Sequence, residues 1–278
     1  MNKTIASVLL LGLASAPALA QVTISGDQIW AYHDNQGATS TELDGDINFK
    51  ASTTTETGLS VSADFNINES ADNDGGNSLT VSGFFGKLDL GDTSSATDAI
   101  DDVTDWGYFR TSGTDSPDHA VLYTAPSIVP GLVANVSFAA DSNQDSNSGG
   151  TGYSVSYTIF GVTAGYGALD NDDNTTATLM NASAEIAGFG VAYELYTTTD
   201  TSNVDTDNAA YSVTFGLGPV TLGYERLDVE TAGVKQNEVD AFGVHYAVFD
   251  QLVAFAETST DNLATSTKTT TLGLAYSF

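Results

Sequence analysis

A strongly acidic segment lies between positions 92 and 118. Its carboxylates are Asp92, Asp98, Asp101, Asp102, Asp105, Asp115 and Asp118, and Arg110 is its only basic residue. Carboxylates gathered at a narrow place attract cations, because low-dielectric walls focus their field. The same residues would also keep an ordinary surface loop hydrated. The pattern therefore permits two interpretations, an electrostatic filter for cations and a solvated loop.

Catalytic chemistry has little support in the sequence. The histidines, His33, His119 and His245, lie far apart and have no attached motif. The chain contains neither the turn that presents a nucleophilic serine nor a phosphate-binding loop. Because no nucleophile can be matched with a base, we predict that the chain is not an enzyme.

Two short segments could bind calcium. Asp and Asn residues at positions 72–74 and 170–174 supply the hard oxygen ligands that calcium prefers. Neither segment completes a recognised calcium-binding loop, and the same residue types are common in ordinary turns. We therefore expect no cofactor and keep calcium as a minor alternative.

The composition excludes two further classes of protein. The chain has 36 Asp and Glu residues against 7 Lys and Arg, a formal net charge of −29. Nucleic-acid binding needs a basic patch, so it is excluded. A disordered acidic tail would be poor in aromatic residues, whereas this chain has 12 Tyr and 13 Phe. Because cysteine is absent, extensive backbone pairing or a large core must stabilise the fold.

The first twenty residues have the features of a secretory signal peptide. Lys3 supplies a positive charge, an uncharged apolar stretch follows, and Ala18 and Ala20 form the small-x-small cleavage pattern. We predict cleavage before Gln21 and a single mature domain over residues 21–278. The apolar stretch is too short for a membrane-spanning helix, and no later segment has the ~20 apolar residues required. Any residence in a membrane must therefore rely on strands.

Turn signals recur regularly along the mature chain. Tight turns are indicated at residues 56–58, 85–87, 128–131, 160–161, 188–190, 218–219 and 249–250. Longer polar segments lie between them, at 34–41, 68–77, 141–151, 170–175, 200–208, 229–237 and 259–267. The segments in between alternate apolar with small or polar residues, as in Leu59, Val61, Ala63 and Phe65. This period of two indicates strands joined alternately by short turns and long loops.

The turns predict the number of strands. The tight turns, together with a junction of the two termini, give sixteen strands of ~9–11 residues. This predicts an all-β fold, a closed antiparallel barrel. Aromatic residues mark the strand ends, with Phe85, Phe160, Phe189 and Phe249 on one side and Tyr166, Tyr196 and Tyr224 on the other. A soluble β-sandwich is the alternative, but it has no reason to keep every second turn short.

Four segments resemble the Gram-negative general porins. The final strand, residues 268–278, alternates apolar residues and ends in Tyr276 and Phe278, which resembles the signal by which outer-membrane barrels are recognised for insertion. Residues 84–91 are similar to the turn and strand that precede the porin pore loop. Residues 119–126 resemble the Tyr-x-x-Pro strand that follows it, and residues 21–26 resemble a first porin strand.

The resemblance implies a sixteen-stranded barrel in the outer membrane that assembles as a homotrimer and passes small hydrophilic solutes and ions. It also implies that residues 92–118 fold into the lumen as a constriction, formed by Asp92, Asp98, Asp101, Asp102, Asp105 and Arg110. A short helix with Ala99, Ile100 and Val103 on one side would pack on the wall. Family members usually place several arginines across the channel, whereas this chain has only Arg110 and Arg226.

Strand parity assigns further residues to the channel wall. Lys50 falls on the lumen side and is the candidate basic residue opposite the loop, whereas Arg226 continues an outward parity. The lumen-side carboxylates Glu185, Glu194 and Glu225 are expected to be hydrated channel lining. A substrate-specific channel and a plugged structural or adhesive barrel remain as alternative functions. Closure of the barrel further suggests an ion pair between the amine of Gln21 and the carboxylate of Phe278.

Overall fold

The chain folds into a closed antiparallel β-barrel, which confirms the predicted fold class. The computed structural model describes residues 21–68, 77–101, 103–104, 106–107, 119–139, 150–171, 174–263 and 267–278. The predicted signal peptide therefore lies outside the described residues. Within them, the 3₁₀ turn Asp98–Ile100 is the only helical segment, and no helix is long and apolar enough to cross a membrane.

Sixteen strands form the barrel, as predicted. They are β1 (Gln21–Asn35), β2 (Ala38–Thr54), β3 (Ser60–Asn68), β4 (Ser78–Gly83), β5 (Gly86–Thr93), β6 (His119–Thr124), β7 (Leu132–Ala139), β8 (Gly150–Ile159), β9 (Val162–Asn171), β10 (Thr176–Ile186), β11 (Phe189–Thr199), β12 (Asp205–Leu217), β13 (Val220–Thr231), β14 (Val234–Phe249), β15 (Leu252–Asp261) and β16 (Lys268–Ser277). Each strand pairs with its neighbours in sequence, and β1 pairs with β16 to close the ring.

The closing seam joins Gly26 to Phe278. Their backbone N–H and C=O groups exchange hydrogen bonds of 3.1 and 3.0 Å. The Phe278 ring covers Gly26, where a Cβ would come within 2.8 Å of it. The expected pairing of Gln21 with Phe278 is therefore wrong, because this register places Phe278 opposite Gly26, further along β1.

The predicted short turns all lie at one end of the barrel, which we call the turn end. At the opposite end, the loop end, two of the predicted loops are two-residue turns. Residues 36–37 have φ angles of 53° and 94°, and residues 232–233 have φ angles of 52° and 73°. Two-residue turns with both residues at positive φ match the right-handed twist of paired strands. The polar segments predicted as loops at 34–41 and 229–237 are therefore mostly strand.

Side chains alternate between the outside and the lumen, because successive residues of a strand point to opposite faces. The outward face is apolar and exposed, as at Ile47, Val136, Val155, Val191, Val213 and Leu274. The inward face carries small or polar residues, among them Asn135, Ser154, Asn181 and Ser212. The barrel thus has the apolar exterior and polar lumen that the alternation predicted.

The aromatic residues follow the prediction at the turn end but not throughout. Phe160, Phe189 and Phe249 lie at the turn end with exposed rings. Tyr196 does not belong to an outward belt: it points into the lumen, is 6% exposed, and packs with Ile100 in a buried cluster. Outward residues of β11 occupy odd-numbered positions, such as Val191 and Tyr193, whereas Tyr196 has the inward parity. The prediction of an outward Tyr196 is therefore wrong.

The connection between β5 and β6 enters the lumen, as predicted. The two strands are short, with eight and six residues. The described residues of the connection contact inward-facing side chains of the wall. This loop, residues 94–118, is hereafter the inner loop.

The seam contact predicts the effect of Phe278→Ala. The ring is 48% exposed, covers Gly26 and stacks on Tyr276 with 6.0 Å between ring centroids. Its loss should lower the free energy of unfolding by about 1–2 kcal/mol, since roughly half of a Phe side chain is buried. Urea unfolding of the refolded barrel in detergent measures this.

Phe138→Ala is the matched control, because Phe138 is an outward ring of β7 that is 50% exposed and lies away from the seam. It should cost less stability than Phe278→Ala. Equal losses in the two variants would show that the ring has no special role in closure.

Candidate functional site

The inner loop is held against the wall from its first residues. The backbone N–H of Ala96 donates to Oγ of Ser137 in β7 at 2.8 Å. Thr97 is 1% exposed and lies over Gly167 of β9, where a Cβ would come within 2.9 Å of its methyl group. The start of the loop therefore cannot leave the wall without breaking a buried hydrogen bond.

Ile100 is the apolar anchor of the loop. It is 8% exposed and packs in a cluster with Leu169, Ala177, Leu179 and Tyr196. The side-chain amide of Asn181 in β10 donates to the carbonyl oxygen of Ile100. The lumen wall is apolar at this place because it receives the loop, and the loop crosses β9, β10 and β11 in a fixed position.

Trp106 holds the loop further around the barrel. Its ring lies over Gly223 of β13 and Gly243 of β14. It also packs on the imidazole of His245, with 4.9 Å between ring centroids. His245 in turn forms a 2.7 Å contact between Nε2 and Oε1 of Glu257 in β15. The described part of the loop thus contacts the wall from β7 to β15.

Two predicted loop carboxylates, Asp98 and Asp101, lie on the described inner loop and are partly exposed. The predicted short helix is only the 3₁₀ turn Asp98–Ile100. Of its expected wall-facing residues, Ile100 is buried, Val103 is half-buried and Ala99 is exposed. The predicted helical face is therefore reduced to one fully buried side chain.

The placement of Asp92 in the constriction is wrong. Asp92 belongs to β5, and its carboxylate accepts a hydrogen bond of 3.2 Å from the backbone N–H of Asn77. The loop begins later than predicted because β5 continues through Thr93. Asp102, Asp105 and Arg110 lie outside the described residues, so their assignment to the constriction stays a prediction.

The four predicted wall residues all lie on the lumen face. Lys50 donates to Oδ2 of Asp64 at 3.1 Å. Glu185 is exposed, as expected for hydrated lining. Glu194 and Glu225 are only 4% and 1% exposed, so the expectation of hydrated side chains is wrong for them. The structure covers these two carboxylates, which a strand pattern alone does not show.

The side of the lumen that faces the inner loop is acidic. The loop contacts fall on β7 to β15, so β1 to β4 line the opposite side. Carboxylates on the lumen face of these strands are Asp27, Glu42, Asp44, Asp46 and Asp64. They were not among the predicted site residues, although the sequence carries a signal for them: Glu42, Asp44 and Asp46 occupy alternate positions of one strand.

Basic residues do not balance these carboxylates in the described part of the lumen. Lys50 and Lys87 face inward, and each is already paired, Lys50 with Asp64 at 3.1 Å and Lys87 with Asp89 at 2.8 Å. Arg226 faces outward, as predicted, and contacts Glu238 at 2.9 Å. The other described Lys and Arg residues, Lys235 and Lys268, also lie on outward positions. The described lumen is therefore strongly negative.

Calcium is untested by the structure. Among the described residues, no group of three or more His, Asp or Glu residues is arranged to hold a metal ion. Residues 72–74 and two of the acidic residues of 170–174, Asp172 and Asp173, lie outside the described part. Calcium binding stays a prediction for those segments.

Comparison with known proteins finds a family match over nearly the whole chain. A family model described as Gram-negative porin matches residues 6–278. No curated protein sequence matches the chain. The structural likenesses are at low sequence identity, and they show the fold alone.

Three solved structures illustrate that likeness. A porin refined at 1.8 Å resolution is 19% identical with a TM-score of 0.77, and the match covers 93% of this chain and 100% of that one. The trimer form of OmpT from Vibrio cholerae is 15% identical, with a TM-score of 0.77 and coverage of 93% and 99%. An anion-selective porin from Comamonas acidovorans is 14% identical, with a TM-score of 0.73 and coverage of 94% and 100%.

The apolar anchor predicts the effect of Ile100→Ala. Truncating this buried side chain should weaken docking of the inner loop by about 2–4 kcal/mol, because it leaves a cavity in a packed cluster. Arg110 is the only basic residue between positions 92 and 118. Trypsin cleavage after Arg110, followed by mass spectrometry of the folded protein in detergent, should therefore become faster.

Ile159→Ala is the control, since Ile159 is 45% exposed on the outward face at the turn end of β8, whereas the described part of the loop contacts the lumen face. It should leave cleavage after Arg110 unchanged. A rate that is the same for Ile100→Ala and the unmodified protein would show that Ile100 does not anchor the loop.

Proposed function

Because the chain belongs to the Gram-negative porin family, we propose that it forms a water-filled outer-membrane channel for passive diffusion of small hydrophilic solutes and ions, with a preference for cations. Family and fold are those of channels rather than of enzymes. The closed ring supports membrane residence, since it pairs backbone groups that hydrocarbon cannot hydrate. The apolar outer face and polar lumen support an aqueous path through the barrel.

The cation preference rests on one observation, the carboxylates on both sides of the lumen. Asp98 and Asp101 lie on the inner loop, and Asp27, Asp44 and Asp46 lie on the wall that faces it. Each of the two inward lysines, Lys50 and Lys87, already forms an ion pair with a neighbouring carboxylate. A cation that passes between the loop and the wall therefore meets negative charge on either side.

The expected preference is moderate. At ~4 Å and an effective dielectric constant near ~20, one unpaired carboxylate attracts a monovalent cation by ~4 kcal/mol. Salt at ~0.15 M limits the range of this attraction to ~8 Å. Ions near the centre of a wider pore are screened, so selectivity should be strongest in dilute salt.

The sign of the selectivity depends on side chains and not on the barrel. The Comamonas acidovorans protein is described as anion-selective, yet it shares this fold with a TM-score of 0.73. The same scaffold thus accommodates a filter of the opposite sign. The charged lumen residues of this chain, which are mostly Asp and Glu, are the basis for proposing cations.

A homotrimer is part of the proposal. A related fold, that of OmpT from Vibrio cholerae, is described in a trimer form. The outward face of β1 to β3 combines large apolar residues such as Val22 and Ile24, which are 66% and 57% exposed, with small ones such as Ala51 and Ala63. A flat apolar face of this kind suits contact with a second copy as well as with lipid.

The central test is the reversal potential of the purified mature protein in a planar bilayer under a salt gradient. The unmodified channel should favour cations, and more so at low ionic strength. A loop variant with Asp98, Asp101, Asp102 and Asp105 changed to Asn should move the potential towards zero without loss of conductance. A wall variant with Asp27, Asp44 and Asp46 changed to Asn should do the same.

The control for charge alone is a variant with the outward-facing Asp170, Asp205 and Asp207 changed to Asn, which should leave the potential nearly unchanged. Full cation preference in both the loop and the wall variants would refute this selectivity filter. Conductance that saturates with solute concentration would instead favour a substrate-specific channel. Absence of conductance would favour a plugged structural or adhesive barrel.

The proposed trimer predicts the effects on assembly of replacing two outward-facing alanines with tryptophan. Ala63→Trp adds a bulky ring to the outward face of β3 and should weaken the trimer. Ala182→Trp makes the same change on the outward face of β10, far around the ring, and should leave the trimer intact. Migration on a detergent gel before and after heating measures both. A single monomer band for the unheated, unmodified protein would contradict a stable trimer.

A further inference from the structure

Trp106 sits in a socket formed by two glycines. Gly223 and Gly243 face each other in the register of β13 and β14. A Cβ on Gly223 would lie 2.3 to 2.4 Å from indole atoms Cδ2, Cε2 and Cε3, and one on Gly243 would lie 2.6 Å from Cη2. Real Cβ atoms do not approach so closely, so the ring fits only because both positions lack side chains.

Groups beside the socket limit movement of the indole. His245, next to Gly243 on the same face of β14, packs on the Trp106 ring and contacts Glu257 at 2.7 Å. The Glu257 carboxylate also lies against Gly107, whose Cβ position is 3.3 Å from Oε2. The loop is therefore held by its ring and by the backbone that follows it.

Trp106 also separates two cavities in the lumen wall. The cavity on the turn-end side has a volume of about 630 Å³ and is lined by small residues and hydroxyl groups, such as Ser183, Thr214 and Thr221. The cavity on the loop-end side has a volume of about 160 Å³ and is lined by Glu225 and Glu257 among others. Trp106 lines both of them.

We propose that Trp106 is a specificity-determining residue that closes the gap between the described part of the inner loop and the wall formed by β13 to β15. With the ring seated, this gap is closed to solutes, and they pass through the part of the lumen lined by β1 to β4. With the ring absent or displaced, the two cavities join into a second aqueous path behind the loop. This inference rests on the proposed channel function and adds to it a residue, Trp106, that sets the width of the channel.

The second path would carry the same kind of ion as the first. Glu225 and Glu257 are 1% and 8% exposed beside the seated ring. Removing the indole would expose these carboxylates along the new path. Opening it should therefore raise conductance and admit larger solutes while the preference for cations is kept.

Channel measurements test the closure. Trp106→Ala and Gly223→Ala should each raise single-channel conductance by roughly 1.5-fold or more and admit larger neutral sugars in liposome swelling, since each opens a parallel path. Trp106→Phe should retain part of the closure. Gly216→Ala is the matched control, because it adds a methyl group to the lumen face of β12, where the nearest atom would be 3.9 Å away.

Fluorescence tests the socket without reference to conduction. The chain has two tryptophans, and Trp30→Phe leaves Trp106 as the only one. In that background, Gly223→Ala should increase quenching of Trp106 by acrylamide, whereas Gly216→Ala should not. The comparison detects displacement of the ring even if a variant conducts poorly.

The outcomes separate this inference from the proposed function. A conducting channel whose Trp106→Ala and Gly223→Ala variants keep the original conductance and size limit would overturn the closure alone. Quenching that does not respond to Gly223→Ala would overturn the glycine socket. An unmodified protein that conducts nothing would overturn the channel function and the closure with it, while the quenching result would still show whether the ring is seated.

Discussion

The ring of backbone hydrogen bonds is the constraint on which the rest of the structure depends. Hydrocarbon offers no partner to an N–H or C=O group, so a sheet can reside there only when it has no free edge. The pairing of β1 with β16, which the bonds between Gly26 and Phe278 extend by one residue, removes this edge. Once the ring is closed, every strand has one face towards lipid and one towards the lumen. The chemistry of the channel is then decided by alternate residues and by whatever loop enters the lumen.

Features that depend on local sequence could be predicted. The alternation in segments such as Leu132–Ala139, and turn signals such as Gly218 with Pro219, act over a few residues and are visible without a structure. They were sufficient to predict that the barrel is closed, that it has sixteen strands, and that Lys50 and Glu185 face the lumen. The wide gap between the turn signals at 85–87 and 128–131 located a long loop after β5, and the resemblance to general porins implied its inward course.

Features that depend on contacts between distant residues could not be predicted. Glu194 and Glu225 have the parity of hydrated lining, but the structure buries them, and only the docked loop distinguishes buried from exposed positions on the same face. The socket of Trp106 depends on two glycines that become neighbours only through the register of β13 and β14. The acidic wall opposite the loop was visible in sequence, but its orientation towards the loop required the order of contacts around the ring.

The strict alternation of faces also bears on how such chains diverge. A substitution within a strand alters one position, whereas the insertion or deletion of one residue turns the later side chains of that strand to the wrong face unless a register shift compensates, as between β13 and β14. Such a barrel can therefore replace most of its residues as long as the alternation of faces is kept. This accounts for a solved porin that shares only 19% of its residues with this chain and yet aligns with it over 100% of its own length.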